Sequence, residues 1–331
     1  MKSAALLLTV LCQPWPVAAT VTEVHYVMGT YFRITAEGVD QESTRARVRQ
    51  CFTTARELDT RFSRFAAHGE LSRLNANAAD GAPANVSPEM AALLQAALRL
   101  QAATGGTFDV GAGVLTRLWR TVSAWPSRDS IAAARRADGG QAFDVVGTTL
   151  TRRAGTVIDL DGIAKGWAVD RCVAQLRAAG IGRAFLSFGE SSLYALGAPA
   201  GQAGWKVWVR GLDSEQALGS VTLKDQAVSV SSVFGHERHV GPRRIGHIID
   251  PRSGLPLTSP AAAVVIADSA TTAEAFSKAL LVDWRRGAAA RKGLMTGALL
   301  VRRSGIKRFG RVAFTPFGDA RPIAAAAEPL R

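Results

Sequence analysis

The chain has 331 residues, 47% of them hydrophobic and 20% charged, so it can bury a full core and is neither disordered nor fibrous. Its 40 Lys and Arg against 27 Asp and Glu give a formal net charge of +13, which points to an anionic partner: a phosphate, a nucleic acid or an acidic membrane surface. Nucleic acid is disfavoured and we predict none, because most of the chain lacks the basic, aromatic-interleaved stripe of such proteins.

Residues 1–19 have the pattern of an export signal. Lys2 is the basic start, Ala4 to Cys12 form an apolar run, and Val17-Ala18-Ala19 places small residues at the cleavage position. The apolar run is shorter than the roughly 20 residues that span a bilayer. We therefore predict a cleaved signal peptide over 1–19 and an exported, periplasmic protein, and no later segment is predicted to cross a membrane.

Two helices are predicted in the first third of the chain. Apolar residues from Val48 to Phe62 recur with the 3.6-residue period, which predicts an amphipathic helix beginning near residue 40. A second helix is predicted to begin at Ser87-Pro88, where Ser87 can cap it, and to end at Gly105-Gly106. Cys51 and Cys172 fall at apolar positions of helical patterns, so both are predicted to be small buried side chains.

The rest of the chain alternates strands and helices. A buried strand over Thr156–Leu160 is followed by a helix that Gly180 ends, and a later helix covers about Thr271 to Val282. The remaining predicted strands are 184–188, 205–209, 228–230, 261–266 and a final hairpin of 298–301 with 309–314. We predict one α/β (α+β mixed) domain over 20–312 with a mixed β-sheet core flanked by helices, and a Pro/Ala-rich tail over 313–331.

Three apparent motifs fail on their spacing. Gly111-Ala-Gly113 lacks the third glycine of a dinucleotide fingerprint, because Thr116 occupies that position. The stretch 189–192 (GESS) lacks the closing glycine of a serine hydrolase elbow. His236 and His239 have no cysteine or carboxylate at ligand spacing, so they are interpreted as polar loop residues rather than zinc ligands.

The stretch most suggestive of a binding or catalytic site is Asp159 to Gly166 (DLDGIAKG). A strand ends there, Gly162 turns the backbone, and Lys165 falls in the first turn of the next helix, where exposed N–H groups and the helix dipole favour a phosphate. A cation at a helix N-terminus is electrostatically misplaced unless an anion joins it. A bound phosphate is therefore the favoured interpretation, and an ion pair of Lys165 with Asp159 or Asp161 is the alternative.

Two further stretches place reactive or aromatic groups on turns. Residues 247–254 (HIIDPRSG) carry His247 and Asp250 into a Pro/Gly turn, although Asp250 could simply cap that turn. Residues 104–109 (TGGTFD) bring Phe108 and Asp109 up on a loop. An aromatic face beside a carboxylate suits a flat ring ligand, while a core position is the ordinary interpretation of Phe108.

These stretches belong to an ordered set. It comprises 28–30 (MGT) with the strand after it, 62–65 (FSRF) followed by 69–75 (GELSRLN), 105–109 (GGTFD), 159–170 (DLDGIAKGWAVD), 247–254 and the helix over 270–281. In this order the chain resembles the ApbE-like family of FAD:protein FMN transferases over about residues 24–312. The resemblance implies a single flavin transferase domain. It also implies an exported enzyme that cleaves the FAD diphosphate, attaches FMN to a Thr or Ser hydroxyl of a partner protein and releases AMP.

The resemblance further implies partners and site residues. The acceptor would be a flavoprotein, such as a subunit of a membrane redox complex. Members usually use a magnesium ion held by a backbone carbonyl, here at Gly162, and by an Asp and a Thr four residues apart on the late helix. The residues that would line the FAD site are Met28, Phe65, Thr107, Phe108, Asp109, Asp159, Lys165 and His247.

The chain departs from the family pattern at the metal position, where it has Glu274 and Lys278. A Glu can ligate magnesium, but a protonated Lys has no lone pair to offer. Three interpretations stay open. The two residues form a helix-stabilising i,i+4 ion pair, with Thr271-x-x-Glu274 as a capping box; they are catalytic, with Glu274 holding the metal; or the Lys278 ammonium takes the place of the metal. Two more departures are 189–191 (GES) for Gly-Gly-Asp and 230–232 (VSS) for Thr-Ser-Gly.

The leading hypothesis is an FAD:protein FMN transferase in which Asp159 and Lys165 position the diphosphate and His247 or Asp250 assists the incoming hydroxyl, with Lys278 part of the catalytic set. The alternative is a non-catalytic FAD- or FMN-binding protein that serves as a carrier or sensor. Residues 285–312 contain nine Lys or Arg and no Asp or Glu. This basic segment is interpreted as a docking face for an acidic partner or a peripheral membrane contact, or as a solvated face.

Overall fold

The computed structural model describes residues 19–78, 81–138, 142–212, 217–289 and 293–317. The predicted signal peptide up to residue 18, and the end of the predicted tail from 318, lie outside the described residues. Within these ranges no helix combines the length and apolar character needed to cross a membrane. The helices are α1 Gln41–Phe62, α2 Glu70–Ala76, α3 Pro88–Ala103, α4 Gly113–Thr121, α5 Arg128–Asp138, α6 Ala164–Ala178, α7 Ala270–Val282 and α8 Trp284–Ala289.

Within the described ranges, eighteen strands accompany these helices. They are β1 Ala19–Val27, β2 Thr30–Gly38, β3 Ala84–Asn85, β4 Phe143–Val146, β5 Thr149–Arg152, β6 Arg183–Phe188, β7 Ser192–Leu196, β8 Trp205–Arg210, β9 Ala217–Leu223, β10 Gln226–Ser232, β11 Arg238–Val240, β12 Arg243–Ile245, β13 Ile249–Asp250, β14 Leu255–Pro256, β15 Ala261–Ala267, β16 Gly297–Arg302, β17 Gly305–Gly310 and β18 Phe314–Pro316.

One large sheet organises the molecule. Its eight strands run in the order β1-β2-β6-β7-β10-β15-β16-β17, and every neighbouring pair is antiparallel. The predicted α+β class is confirmed, but a sheet of mixed direction is wrong. Tight turns join β1 to β2, β6 to β7 and β16 to β17, and strands joined by a tight turn must run antiparallel.

Both faces of the central strands are covered. On β15, Ala263 and Val265 belong to the core shared with the helices, whereas Val264 and Ile266 pack against the small sheet β18-β9-β8. All seven residues of β15 are therefore buried, which explains why this strand is a continuous apolar run rather than an alternating one. Helices α1, α6 and α7 pack together on the first face, and α6 and α7 carry the candidate site.

Most predicted helices are confirmed at their ends. Helix α1 ends at Phe62, and α3 begins at Pro88 with the Ser87 hydroxyl accepting from the Met90 N–H. Cys51 and Cys172 are fully buried, as predicted, and each thiol contacts the other residue's carbonyl oxygen, at 3.7 and 3.5 Å. These contacts hold the middle of α1 against α6.

Two predicted strands differ from the structure. Residues 156–160 are extended but form no strand, because their backbone bonds go elsewhere: Ile158 pairs with the Asn75 side chain, and the Asp159 N–H donates to the Val110 carbonyl. The predicted strand 309–314 breaks after Gly310, and Phe314 begins β18, which pairs with β9 in the small sheet. Residues 314–316 of the predicted tail are thus part of the fold.

Candidate active site

The beginning of α6 carries the first cation of the site. Lys165 is the second residue of this helix, and its Nζ donates to Ser191 Oγ at 2.8 Å. Ser191 lies in the turn between β6 and β7. The alternative ion pair of Lys165 with Asp159 or Asp161 is wrong, because Arg64 binds both carboxylates. Lys165 is thus held by a neutral hydroxyl, and its charge has no carboxylate partner there.

Helix α7 carries the second cation. Lys278 Nζ lies 3.6 Å from Glu274 Oε1 and donates to the Glu274 carbonyl at 3.1 Å. The other carboxylate oxygen, Oε2, accepts from the Gly166 N–H at 2.7 Å. The i,i+4 ion pair predicted for these residues is present. The predicted capping box is wrong, because Ser269 is the N-cap and Glu274 bonds to α6 instead of to its own helix start.

A buried carboxylate fixes α7 relative to α6. Asp170, in α6, accepts from the N–H groups of Ala270 and Thr271 at 2.7 and 2.9 Å and from the Thr271 hydroxyl. These groups belong to the first turn of α7, whose free N–H groups attract a negative charge. Burial still raises the pKa of Asp170, and the Thr271 bonds oppose that rise. Asp170 therefore sets the position from which Glu274 and Lys278 project.

Gly162 lies between an aromatic ring and the Lys278 side chain. A Cβ placed on Gly162 would lie 3.4 Å from the Phe108 ring and 3.4 Å from Lys278 Cδ. The loop that carries Phe108 runs beside the Asp159 segment through the bond from Asp159 N to Val110 O, 2.8 Å long. Thr107 belongs to this loop, but its buried hydroxyl donates to the Thr104 carbonyl and supports the loop itself.

Two arginines hold the acidic residues before α6. Arg64 donates to Asp159 at 2.5 Å and to Asp161 at 2.7 Å, and Arg120 donates to Asp161 at 2.9 Å. Burial and the Asp161 charge raise the pKa of Asp159, while Arg64 opposes the rise. Arg64 lies within the family motif of residues 62–65, but the sequence predicts no role for it or for Arg120. These arginines lie 95 and 41 residues from their partners, so no local spacing reveals the network.

Asp109 sits in the same loop as Phe108. Burial raises its pKa to about 6. Hydrogen bonds from the Gly111 N–H, at 2.7 Å, and from the Gln101 side chain oppose this rise. An acid near neutrality can hold or release a proton at physiological pH. The Asp109 carboxylate accepts these two hydrogen bonds, and its remaining lone pairs can accept a bond from a further donor.

His247 faces the Lys278 side of the site. Its ring packs edge to face on His236, with centroids 5.4 Å apart. Neighbouring atoms and the charges of His236 and Lys278 lower the pKa of His247, although the residue is exposed to solvent. The imidazole is therefore neutral at pH 7 and can accept a proton. His236, interpreted from the sequence as an ordinary loop residue, is its ring partner.

Asp250 is committed to an ion pair. Its oxygens accept from the Arg252 guanidinium at 3.0 and 3.2 Å and from the Arg252 N–H at 3.0 Å, and Arg252 also binds Asp283. Such bonding fixes the turn after His247. The structure therefore gives Asp250 a turn-forming contact and leaves His247 as the free base of this stretch.

Met28 and Phe65 flank the site on two loops. Met28 has a φ of 48°, and its N–H donates to Asp59 at 2.9 Å. Its turn touches the 189–191 turn, because a Cβ on Gly189 would lie 2.9 Å from the Thr30 side chain. Phe65 is 77% exposed, with the Arg64 guanidinium 4.7 Å above its ring. A large exposed ring beside the acidic network is available to stack on a ligand.

A divalent metal does not fit the residues present. Of the predicted ligands, Glu274 has one oxygen on the Gly166 N–H and the other facing the Lys278 ammonium, whose stem packs against Gly162. A cation bound there would be repelled by that ammonium. Among the described residues, no group of three or more His, Cys, Asp and Glu side chains is arranged to hold a metal ion. The positive charge at this site comes from lysines.

A separate cavity of about 520 Å³ lies behind α6. Its lining includes Trp167, Arg171 and Tyr194. Of the residues discussed so far it includes Asp170, Ser269 and Thr271 but not Lys165, Lys278 or His247. Lys165, Lys278 and His247 lie outside this cavity and near one another, because the Lys278 charge acts on His247 and the Lys165 charge acts on Lys278.

The pattern of residues 28–294 matches the model of the ApbE family. The chain belongs to the ApbE family. It is 31% identical to an FAD:protein FMN transferase of Rhodobacter capsulatus over 284 residues, 82% of this chain and 54% of that protein. It is 29% identical to an FAD:protein FMN transferase of Klebsiella pneumoniae (strain 342) over 77% of this chain and 76% of that protein. The chain thus spans about half the length of the Rhodobacter relative.

Solved ApbE structures share this fold. The ApbE protein from Thermotoga maritima superposes with a TM-score of 0.78 at 25% identity, covering 88% of this chain and 97% of that one. The flavin transferase ApbE from Vibrio cholerae gives a TM-score of 0.76 at 23% identity, with the same coverage. The ApbE fold therefore extends over nearly all of the described residues.

Proposed function

We propose that the protein is an FAD:protein FMN transferase. The observation that carries this function is the placement of the Lys165 and Lys278 ammonium groups near each other and near the neutral base His247. Lysines and helix N-termini are the groups that bind a diphosphate. Relatives named FAD:protein FMN transferase align with most of this chain and supply the substrate class.

The reaction is a phosphoryl transfer. The oxygen of an acceptor Thr or Ser hydroxyl forms a bond to the phosphorus on the FMN side of FAD. The bond from that phosphorus to the bridging oxygen breaks, and its electron pair leaves with AMP. The hydroxyl proton moves to a base. Positive charge on the phosphate oxygens and in-line placement of the hydroxyl are what the protein must supply.

Named side chains meet these needs. Lys165 and Lys278 contact the diphosphate oxygens, and neutral His247 accepts the hydroxyl proton. Phe65 offers an exposed ring face to the flavin or adenine. Phe108 is 5% exposed and belongs to the hydrophobic core, so it supports the backbone at Gly162 rather than offering a ring face. Arg64 holds Asp159 and Asp161, so that the loop before α6 keeps its shape when the substrate arrives.

Two sequence features support a proposal for the compartment and the partner, the signal pattern of residues 1–19 and the basic segment 285–312. The signal pattern of residues 1–19 supports export to the periplasm, and the acceptor would be an exported flavoprotein, such as a subunit of a membrane redox complex. The basic segment 285–312 supports contact with an acidic acceptor or membrane surface. In it, Lys307 lies 3.7 Å and Arg285 4.7 Å from the Trp284 ring, so two cations and one indole share a surface.

The test is product formation. The protein is mixed with FAD, magnesium and a flavoprotein domain carrying an Asp/Ser-Gly-x-Thr/Ser acceptor stretch, and the acceptor mass is measured. A gain of one FMN less one water, with one AMP released, is expected, and His247→Ala should reduce its rate by about 100-fold or more. Tight FAD binding without any adduct would instead support the alternative, a flavin carrier or sensor.

A further inference from the structure

Lys278 occupies the space where a cation would otherwise be needed. Its stem packs on Gly162 and its ammonium stays within 3.6 Å of Glu274, yet 20% of the side chain remains exposed. The ammonium is therefore anchored by a carboxylate that is itself only 3% exposed and by the Glu274 carbonyl, at 3.1 Å. A Lys ammonium has three donors and no acceptor, so an anion is the ligand it selects.

The balance of charge around it favours the same ligand. Burial lowers the pKa of Lys278 the most, and the charge of the nearby Lys165 lowers it further. The Glu274 charge raises it. Lys165 itself is held by the Ser191 hydroxyl and not by a carboxylate. Glu274 pairs with Lys278, and its other oxygen is already bound to the Gly166 N–H. The pair keeps an excess of positive charge.

We propose that Lys165 and Lys278 form a two-lysine diphosphate site that takes the place of a divalent metal, so that this protein binds and cleaves FAD without one. The inference rests on the proposed function and specifies its catalytic site. The ammonium groups hold the phosphate oxygens and lose no proton, and no bond to either lysine forms or breaks. Two fixed cations at about 3 Å from phosphate oxygens neutralise developing charge as a metal would.

The experiment measures FAD binding by quenching of flavin fluorescence, with EDTA or with magnesium. We expect the wild-type dissociation constant to agree within about twofold between the two conditions, and Lys278→Met to weaken binding in EDTA by about tenfold or more. The matched control is Lys224→Met, because Lys224 is exposed in the turn between β9 and β10 and should leave the constant unchanged. Thermal unfolding of each variant shows that it is folded.

The outcomes separate this inference from the function itself. FAD binding and transfer by the wild type that require magnesium overturn the two-lysine site and leave the transferase standing. Unaltered FAD affinity in folded Lys278→Met has the same meaning. Absence of FAD binding under every condition overturns both. The wild-type comparison needs no variant, so misfolding of Lys278→Met cannot hide the result.

Discussion

The carboxylate of Glu274 joins the two helices that build the site: Oε2 accepts from the Gly166 N–H in α6 at 2.7 Å, and Oε1 lies 3.6 Å from Lys278 Nζ in α7. Gly166 also lies very close to the beginning of α7, since a Cβ there would lie 2.6 Å from the Ala270 carbonyl oxygen. The distance between Lys165 and Lys278 is therefore set by one glycine and one buried carboxylate.

Glu274→Gln tests the buried carboxylate. The amide can still accept from Gly166, but it leaves the Lys278 ammonium without its counter-charge in a site where Glu274 is nearly fully buried. We expect the free energy of unfolding in urea to fall by about 1–3 kcal/mol. Glu57→Gln, at an exposed position of α1, is the control and should change it by less than about 0.5 kcal/mol. Equal free energies of unfolding for the two variants would show that the Glu274 carboxylate does not stabilise the contact between α6 and Lys278.

Gly166→Ala tests the close approach of the helices. The new methyl would meet the backbone of Ala270 and Thr271, at 2.6 to 2.8 Å, and backbone atoms cannot rotate away. We expect a loss of about 1–3 kcal/mol in urea unfolding and a weaker affinity for FAD, because α6 must shift. Gly182→Ala is the matched control, since a Cβ on Gly182 meets nothing within 4 Å. Equal free energies of unfolding for Gly166→Ala and Gly182→Ala would show that the close approach at Gly166 does not contribute to stability.

Local patterns predicted the elements that carry the site. The apolar run of β15 and the periodicity of α1 and α6 are properties of neighbouring residues, so the sequence shows them directly. The same holds for Lys165 in the first turn of α6, because Gly162 and the residues after it define where that helix begins.

The partners of the site residues could not be predicted in this way. Ser191 is 26 residues from Lys165, and Gly166 is 108 residues from Glu274, so their contacts arise only when β6, α6 and α7 pack. The local pattern Thr271-x-x-Glu274 even favoured the wrong bond, since a buried carboxylate takes whichever N–H the tertiary structure brings to it. The extended segment 156–160 misled for the same reason: its alternating pattern reflects burial, and Asn75 supplies its bonds.

Ser191→Asp tests whether Lys165 needs a neutral partner. The carboxylate introduced at position 191 would contact the Lys165 ammonium, and it would neutralise the positive charge that attracts the diphosphate. We expect FAD affinity in EDTA to fall by about tenfold. Ser191→Ala removes the hydrogen bond without adding charge, and it should produce a smaller loss. Equal affinities of the two variants would show that the net charge around Lys165 does not govern binding.

The two described cysteines should be protected from alkylation in the native protein. Cys51 and Cys172 are fully buried, so the reagent cannot reach either thiol, and burial also raises the pKa of the Cys172 thiol well above its usual value. Peptide mapping after iodoacetamide treatment should find both unmodified at neutral pH and both modified in urea. Native labelling of either residue would mean that the α1–α6 contact opens readily.

Asp138 should make stability depend on pH. Its carboxylate accepts from the N–H groups of Val114 and Leu115 at 3.2 and 2.7 Å, and burial raises its pKa from 3.8 to about 7. The folded state therefore holds a proton that the unfolded state releases. The resulting stability is full below about pH 3.8 and is lost as the pH rises to about 7. Asp138→Asn cannot titrate, so its free energy of unfolding relative to wild type should rise between pH 4 and 7 and level off above. Urea unfolding at several pH values measures this difference, and a constant difference would place the pKa of Asp138 near its ordinary value.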